Sequence, residues 1–174
     1  MSLRCLLRVN GAERRLLLVS GPNEPEEHLA LKLAAYLLFW AEEPALEASF
    51  KNPALAGFDF LPDLLALDAD GGIGLWVECG STTLNKLTKL TRRVPRGRIV
   101  VLKESEREAR RLREELRAEL TREARIEVLA WPGESFREWA GALRESNEVY
   151  GESGEAGLNV VVNEHPFAIE LKRL

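Results

Sequence analysis

A strong turn signal, Asp68-Ala69-Asp70-Gly71-Gly72, lies in the middle of the chain between two short apolar segments. The segments, residues 61–67 and 73–79, have the length and the apolar content of strands. Asp-Gly at the centre of a turn favours a tight hairpin, in which the two strands run antiparallel. We therefore expect a central antiparallel pair, and the rest of the sheet has to be built around it.

The turn also determines which residues of the two strands face each other. A two-residue turn at Asp70–Gly71 and a four-residue turn over residues 69–72 give the same register. Both place Asp63 opposite Glu78 on one side of the sheet, with their Cβ atoms about 5 Å apart. Two carboxylates in that position repel each other, so a shared proton, a paired Lys or Arg, or a divalent cation has to compensate.

Helices and strands alternate on both sides of this hairpin. The residue patterns predict a hairpin over 3–20, a helix over 24–41, the central hairpin, a helix over 81–94, a strand over 99–103, a helix over 105–124, a strand over 126–131, a helix over 135–146, a mobile loop over 147–157 and a closing hairpin over 158–171. This order is typical of an α/β fold with a mixed sheet sandwiched by helices. A chain of 174 residues suits one domain over 1–174, with a core over about 24–131 and a small second sheet from the terminal strands 1–20 and 158–172.

The composition argues against several classes of protein. With 45% hydrophobic and 30% charged residues, the chain is not expected to be disordered. The longest apolar run, residues 33–41, is too short to cross a bilayer, and no secretory signal is visible, so we expect a cytoplasmic protein that does not enter membranes. Cys5 and Cys79 form no metal-binding or disulfide pattern. The abundance of Arg, Glu and Leu is typical of heat-adapted proteins.

Two short motifs resemble those of a known superfamily. Pro62-Asp63 in one strand and Glu78-Cys79-Gly80 at the end of the next are similar to the PD-(D/E)xK nuclease-like superfamily, and the closer resemblance is to the YaeQ family within it. Residues 27–34 of the first helix and the closing hairpin carry the same resemblance. It implies a restriction-endonuclease-like core, in which two strand acids and often a glutamate of the first helix hold a divalent metal such as Mg²⁺ or Mn²⁺.

The resemblance assigns roles to individual acidic residues. Asp63 and Glu78 match the two metal-binding acids of the catalytic site. Glu27, with Glu26 as the alternative, matches the helix acid. When bound, such a metal lowers the pKa of a water molecule and neutralises charge on the phosphate, which suits phosphodiester cleavage.

The family's catalytic lysine stands two residues after the second acid, and this chain has Gly80 there. Our hypothesis is that Lys86 or Lys89, on the following helix, supplies the catalytic amine from another backbone position. His28 and Lys32, one turn apart on the first helix, either line the same cleft or are simply solvated. A positive charge close to the acids would stabilise the transition state electrostatically.

The segment from Lys86 to Lys103 is positively charged, although the net charge of the chain is −4. It contains seven Lys and Arg residues and no Asp or Glu. Either Lys86, Lys89, Arg92 and Arg93 bind the phosphates of a nucleic acid, or the segment is only a solvated face. Aromatic and basic residues do not alternate here in the way that is typical of single-strand binders.

Three functions remain open from the sequence. The first is a metal-dependent nuclease or phosphodiesterase that acts on nucleic acid. The second is a catalytically inactive module of the nuclease fold that binds a protein or a nucleic acid, which Gly80 and the net negative charge favour. The third is a structural protein in which Asp63 and Glu78 are neutralised by Lys or Arg.

Overall fold

The computed structural model describes residues 1–46 and 48–174. The strands in chain order are β1 (Ser2–Val9), β2 (Ala12–Val19), β3 (Ala45–Leu46), β4 (Leu64–Leu67), β5 (Ile73–Cys79), β6 (Arg98–Lys103), β7 (Ile126–Ala130), β8 (Ser146–Gly154), β9 (Gly157–Val162), β10 (His165–Glu170) and β11 (Lys172–Arg173). The helices are α1 (Glu26–Leu38), α2 (Leu84–Arg93), α3 (Glu106–Glu119) and α4 (Phe136–Ala142). The strands form two mixed sheets, one of six strands and one of five.

The six-stranded sheet is built around the predicted central hairpin, β4 and β5. Its order is β3-β4-β5-β6-β7-β11. β5, β6 and β7 run parallel, and the chain passes through α2 and α3 between them. β6 reads as a continuous apolar run, Ile99–Leu102, because helices cover both faces of the sheet. The mixed α/β fold predicted from the element order is therefore confirmed.

The five-stranded sheet joins the two ends of the chain in the order β10-β9-β8-β1-β2. It contains the two terminal hairpins, as predicted, but the predicted mobile loop over 147–157 is wrong. That segment is β8, which runs parallel to β1 and antiparallel to β9. Only Asn147 and Val149 of β8 are buried, and most of its other residues are polar or glycine. Such a polar sequence is typical of a loop. The segment forms a strand because its backbone is paired with β1 on one side and β9 on the other.

Several helices end earlier than predicted. Short 3₁₀ turns at Trp40–Glu42 and Glu123–Arg125 follow α1 and α3. α4 ends at Ala142 because the chain has to be extended again by Ser146, where β8 begins.

Helix α1 lies between the two sheets and organises the larger core. Nearly every residue from Leu29 to Trp40 is buried, and α1 packs with the inner faces of both sheets. α2 and α3 cover the opposite face of the six-stranded sheet with a second apolar cluster. Within residues 1–46 and 48–174, no helix is long and apolar enough to cross a membrane.

Candidate functional site

Asp63 and Glu78 lie next to each other where the central hairpin opens. β4 and β5 keep the predicted register from the pair Leu64–Val77 until a bulge near the turn. The backbone amide of Asp63, which directly precedes β4, donates a hydrogen bond to the carbonyl of Val77 at 3.0 Å, so the predicted register is not continued to a pair between Asp63 and Glu78. The Oδ2 atom of Asp63 accepts a hydrogen bond from the amide of Cys79 at 2.7 Å, which fastens the carboxylate to the end of β5.

The two carboxylates nevertheless contact different helices. Glu78 is directed to the α2 side of the sheet, where Trp76 and Lys86 lie. Asp63 instead contacts side chains of α1, on the other side. The predicted placement of both carboxylates on one side of the sheet is therefore wrong. The two acids lie at the same end of the hairpin, but their charges are compensated from opposite sides of the sheet.

Asp63 belongs to a network of charges at the beginning of α1. Its Oδ1 atom lies 3.3 Å from Nε2 of His28 and 3.5 Å from Nζ of Lys32. Glu24 contacts the same two bases, at 2.7 Å from Nδ1 of His28 and 2.6 Å from Nζ of Lys32. Residues 24, 28 and 32 follow one another at intervals of about one helical turn. His28 and Lys32 therefore lie on one face of α1, and Glu24, just before the helix, lies on the same side.

This network keeps the Asp63 carboxylate ionised. Burial raises the pKa of Asp63, but the contact with His28, the hydrogen bond from the Cys79 amide and the charges of His28 and Lys32 together lower it below its usual value. The contact with Asp63 in turn raises the pKa of His28, against the opposing effect of burial. The acid and the histidine therefore stabilise each other's charged form.

Glu78 has fewer partners and is more deeply buried. Only 4% of its side chain is exposed. Oε1 accepts a hydrogen bond from the indole nitrogen of Trp76 at 2.6 Å, and Oε2 accepts one from Nζ of Lys86 at 2.7 Å. Burial raises the pKa of Glu78 above its usual value, because Lys86 and Trp76 offset the desolvation only in part and the negative charge of Asp63 adds to it.

Lys86 is the one of the two candidate lysines that reaches an acid of the site. Its side chain extends from the first turn of α2, where the hydroxyl of Thr83 caps the helix by accepting from the Lys86 amide. Besides Glu78, Nζ contacts the carbonyl of Leu61 at 3.2 Å. Lys89, one turn later, pairs with the exposed Asp59 at 3.1 Å and lies outside the site.

The other predicted residues also lie outside this cluster. Glu27 is exposed and lines a groove of about 970 Å³ together with Glu104, away from Asp63. Arg92 is exposed, and Arg93 donates a hydrogen bond to the carbonyl of Gly57.

The last basic residues of the segment, Arg98 and Lys103, form contacts with other parts of the fold. Arg98 forms ion pairs with Glu127 and Glu155, at 2.8 Å and 2.6 Å. Lys103 donates to the carbonyl of Gly80 at 2.7 Å, and burial lowers the pKa of this lysine. The segment is therefore not one continuous positive surface.

Glu24 is the residue of the site that sequence reasoning missed. The sequence pattern places the helix acid at Glu27 or Glu26, inside the helix, whereas Glu24 precedes α1 and reaches the site from outside it. A usable signal is the lone lysine, Lys32, in a stretch of α1 that is otherwise apolar, because a lysine there needs an acid within reach.

The chemistry of the acids fits a hard divalent cation of the Mg²⁺ type. Magnesium is commonly held by one or two carboxylates together with water and phosphate oxygens. The pKa of Asp63 is lowered, and among the described residues its Oδ1 atom contacts His28 and Lys32 at 3.3 Å and 3.5 Å, which is longer than ordinary charge-assisted hydrogen bonds. In the described part of the chain, no group of three or more His, Cys, Asp or Glu side chains is arranged around a metal position. A cation could be held by Asp63, whereas both oxygens of Glu78 accept hydrogen bonds, so Glu78 would join as a ligand only by giving up its contact with Lys86.

Comparisons with known proteins give a family and a fold. The model of the family described as "YaeQ protein" matches residues 8–169. The crystal structure of the YaeQ protein from Xanthomonas axonopodis pv. citri is 17% identical, with a TM-score of 0.77, and the match covers 99% of this chain and 96% of that one. The YaeQ protein from Pseudomonas syringae is 17% identical, with a TM-score of 0.74 and coverage of 99% and 93%. No curated protein matches. At these identities the two structures show that the fold is shared.

Proposed function

The chain belongs to the YaeQ family, and we propose that it is a metal-dependent nuclease or phosphodiesterase with a restriction-endonuclease-like core of the PD-(D/E)xK superfamily. The substrate class is nucleic acid, and the cofactor is Mg²⁺ or Mn²⁺. The mixed sheet, with its central hairpin, its parallel strands and a buried helix on one face, supports this assignment. So does the position of the two acids at adjacent strand ends.

The observation that carries the proposal is the contact between Lys86 and Glu78. The superfamily motif expects a lysine two residues after the second acid, where this chain has Gly80. An ammonium group 2.7 Å from the Glu78 carboxylate supplies the same charge from α2. The lysine function can therefore be retained although the lysine position is lost.

The cost of burying so many charges also supports a functional site. A buried ion pair at best offsets the desolvation of its members, and apolar residues would often be more stable in its place. Here six ionisable side chains are clustered, none of them more than 25% exposed, and the two strand acids have pKa values shifted in opposite directions. They are Glu24, His28, Lys32, Asp63, Glu78 and Lys86. Such clusters are typical of active sites.

Each residue of the cluster has a role in the proposed reaction. The carboxylates of Asp63 and Glu78 would hold the cation, which when bound activates water and neutralises negative charge. His28 and Lys32 keep Asp63 ionised and in position. The ammonium of Lys86, 21% exposed, can offer its third hydrogen to a phosphate oxygen while the other two are held by Glu78 and the carbonyl of Leu61.

Cleavage assays on plasmid DNA, single-stranded DNA and RNA test the proposal. We expect cleavage with Mg²⁺ or Mn²⁺, none with chelator, and losses of about a hundredfold or more in Asp63→Asn, Glu78→Gln and Lys86→Met. Lys172→Met is the matched control, since this lysine is exposed in β11 at the far edge of the six-stranded sheet. Cleavage that is equal in all four variants would come from a contaminant and would contradict the proposal.

The second candidate function is a catalytically inactive module of the same fold that binds a nucleic acid or a protein. It is favoured by the ion pairs themselves, because His28, Lys32 and Lys86 already compensate both acids without a metal. This alternative predicts that Mg²⁺ and Mn²⁺ leave the melting temperature unchanged. A melting temperature that rises with Mn²⁺ in the wild type, but not in Asp63→Asn, would favour the enzyme.

A further inference from the structure

A cluster of three aromatic rings lies beside the proposed active site. Phe58 and Phe60 are partly exposed, and they pack on the buried Trp76 with ring centroids 5.2 Å and 5.8 Å away. Trp76 itself donates the hydrogen bond to Glu78. The rings are therefore in direct contact with the residues that hold the second acid in place.

Basic side chains of α2 stand over these rings. Nζ of Lys86 is 5.2 Å and Nζ of Lys89 is 6.0 Å from the centre of Phe60, and the guanidinium of Arg93 is 5.6 Å from the centre of Phe58. The spacing of residues 86, 89 and 93 puts all three on one face of the helix. Aromatic residues of the segment before β4 and basic residues of α2, which are far apart in sequence, are thus in contact with each other.

The surface around the rings has an excess of positive charge. Arg92 and Arg96 are exposed next to Arg93, and no acid occurs from Leu84 to Lys103. Asp59 balances only Lys89. Because the whole chain has a net charge of −4, this local excess has to be balanced by acidic residues elsewhere.

We propose that residues 57–61 and the basic face of α2 form a binding surface for single-stranded nucleic acid, with bases on Phe58 and Phe60 and phosphates on Lys89, Arg92 and Arg93. This inference rests on the proposed nuclease function and names its substrate class. The bound nucleic acid would lie close to the proposed active site, since only two residues separate Phe60 from Asp63.

A single strand fits this surface better than a duplex for two physical reasons. In a duplex the faces of the bases are covered by stacking, so a protein ring can reach only an unpaired base. Duplex binding by backbone contacts alone needs a broad positive surface. Here the positive charge is confined to one face of α2, and the acidic side chains of Glu27 and Glu104 line the groove near the beginning of α1.

The test is equilibrium binding in the presence of chelator, read by fluorescence anisotropy. The probes are a labelled oligothymidylate and a hairpin duplex of the same length. We expect Phe58→Leu to weaken single-strand binding about tenfold, because a leucine side chain cannot stack on a base. The double variant Arg92→Gln with Arg93→Gln should lower the slope of log K against log salt by about 0.7 for each phosphate that the protein then leaves unneutralised.

Matched controls lie on other parts of the molecule. Tyr150 is an exposed aromatic residue of β8, and Arg111 is an exposed arginine of α3 paired with Glu115. Tyr150→Leu and Arg111→Gln should bind as the wild type does. If Phe58→Leu lowers the melting temperature, the single variant Arg92→Gln decides the question, because this side chain is exposed: it should weaken single-strand binding and lower the salt slope, and unchanged binding would overturn the surface.

The outcomes separate this proposal from the nuclease proposal. The proposed single-strand surface would be contradicted if the protein bound the hairpin and the oligothymidylate equally, or if Phe58→Leu left binding unchanged. Either result would count against the surface even if Asp63→Asn abolished cleavage. Single-strand binding that depends on Phe58 supports the surface, and in a protein without metal-dependent cleavage it would contradict only the nuclease function.

Discussion

The carboxylates of Asp63 and Glu78 lie at adjacent strand ends, yet they meet different surroundings. Asp63, 16% exposed, contacts a backbone amide, a histidine and a lysine. Glu78, 4% exposed, has one lysine and one indole N–H. The pKa of the first is lowered and the pKa of the second is raised. The number of donors, set against the depth of burial, decides the direction of the shift.

This difference suggests a division of roles between the two acids. Asp63 remains a carboxylate across the physiological range, as a permanent metal ligand requires. Glu78 is held as a carboxylate chiefly by Lys86, so its charge depends on a single neighbour on α2. Variants that remove one neighbour at a time test whether the two acids differ in this way.

The largest effect on stability is expected from Lys86→Met. Removing one member of a buried ion pair leaves the other uncompensated, which costs about 3 kcal/mol of the free energy of unfolding at neutral pH. The cost should shrink in acid, where Glu78 becomes protonated. Denaturant unfolding at both pH values measures it. Lys89→Met is the control, since its exposed pair with Asp59 is screened by solvent and contributes little to stability. Equal losses in the two variants would contradict the dependence of Glu78 on Lys86.

A smaller effect is expected in the pH dependence of stability, with opposite signs for the two acids. The folded pKa of Asp63 is below its ordinary value of 3.8, so its stabilisation is present above that value and is lost as the pH falls through the folded pKa. The folded pKa of Glu78 is above 4.5, so its contribution is present below 4.5 and is lost as the pH rises through the folded pKa.

Urea unfolding as a function of pH separates these contributions. We expect Asp63→Asn to reduce the loss of stability below pH 3.8, and Glu78→Gln to reduce the decline that begins above pH 4.5. If both variants changed the same limb of the profile, the two carboxylates would share one environment and the comparison would fail.

The fold was predictable from the sequence wherever a local pattern determines it. The turn at Asp68–Gly72 identified the central hairpin, although the predicted pairs occur only beyond a bulge between Ala66 and Leu67, and apolar runs such as 99–102 marked buried parallel strands. The strand β8 was not predictable in this way, because its polar residues acquire their order from β1 and β9, which are distant in sequence.

The candidate site was predictable to the same degree. Asp63 and Glu78 are neighbours through one hairpin, which the sequence encodes locally. Glu24 and Lys32 meet Asp63 only because α1 packs across the sheet, and the choice between Lys86 and Lys89 depends on how α2 is rotated. Such long-range packing leaves little trace in a single sequence.

The smallest effect concerns His28, which reports on Asp63 alone. The contact with Asp63 is the largest cause that raises the pKa of His28, and burial opposes it. In Asp63→Asn we therefore expect the pKa of His28 to fall, as measured by NMR titration of the ring signals. Because the folded pKa is raised above 6.5, the stabilisation from His28 is present below that pH and is lost as the pH rises through the folded value, and this loss should be weaker in the variant.

Glu78→Gln provides the contrast, because Glu78 is not among the groups that shift His28. Its effect on the His28 titration should be negligible if the two acids are compensated from opposite sides of the sheet. His165, the other histidine, lies in β10 and serves as the reference signal. An equal response of His28 to both variants, measured with chelator present, would mean that the two carboxylates form one coupled pair, as a shared proton would make them.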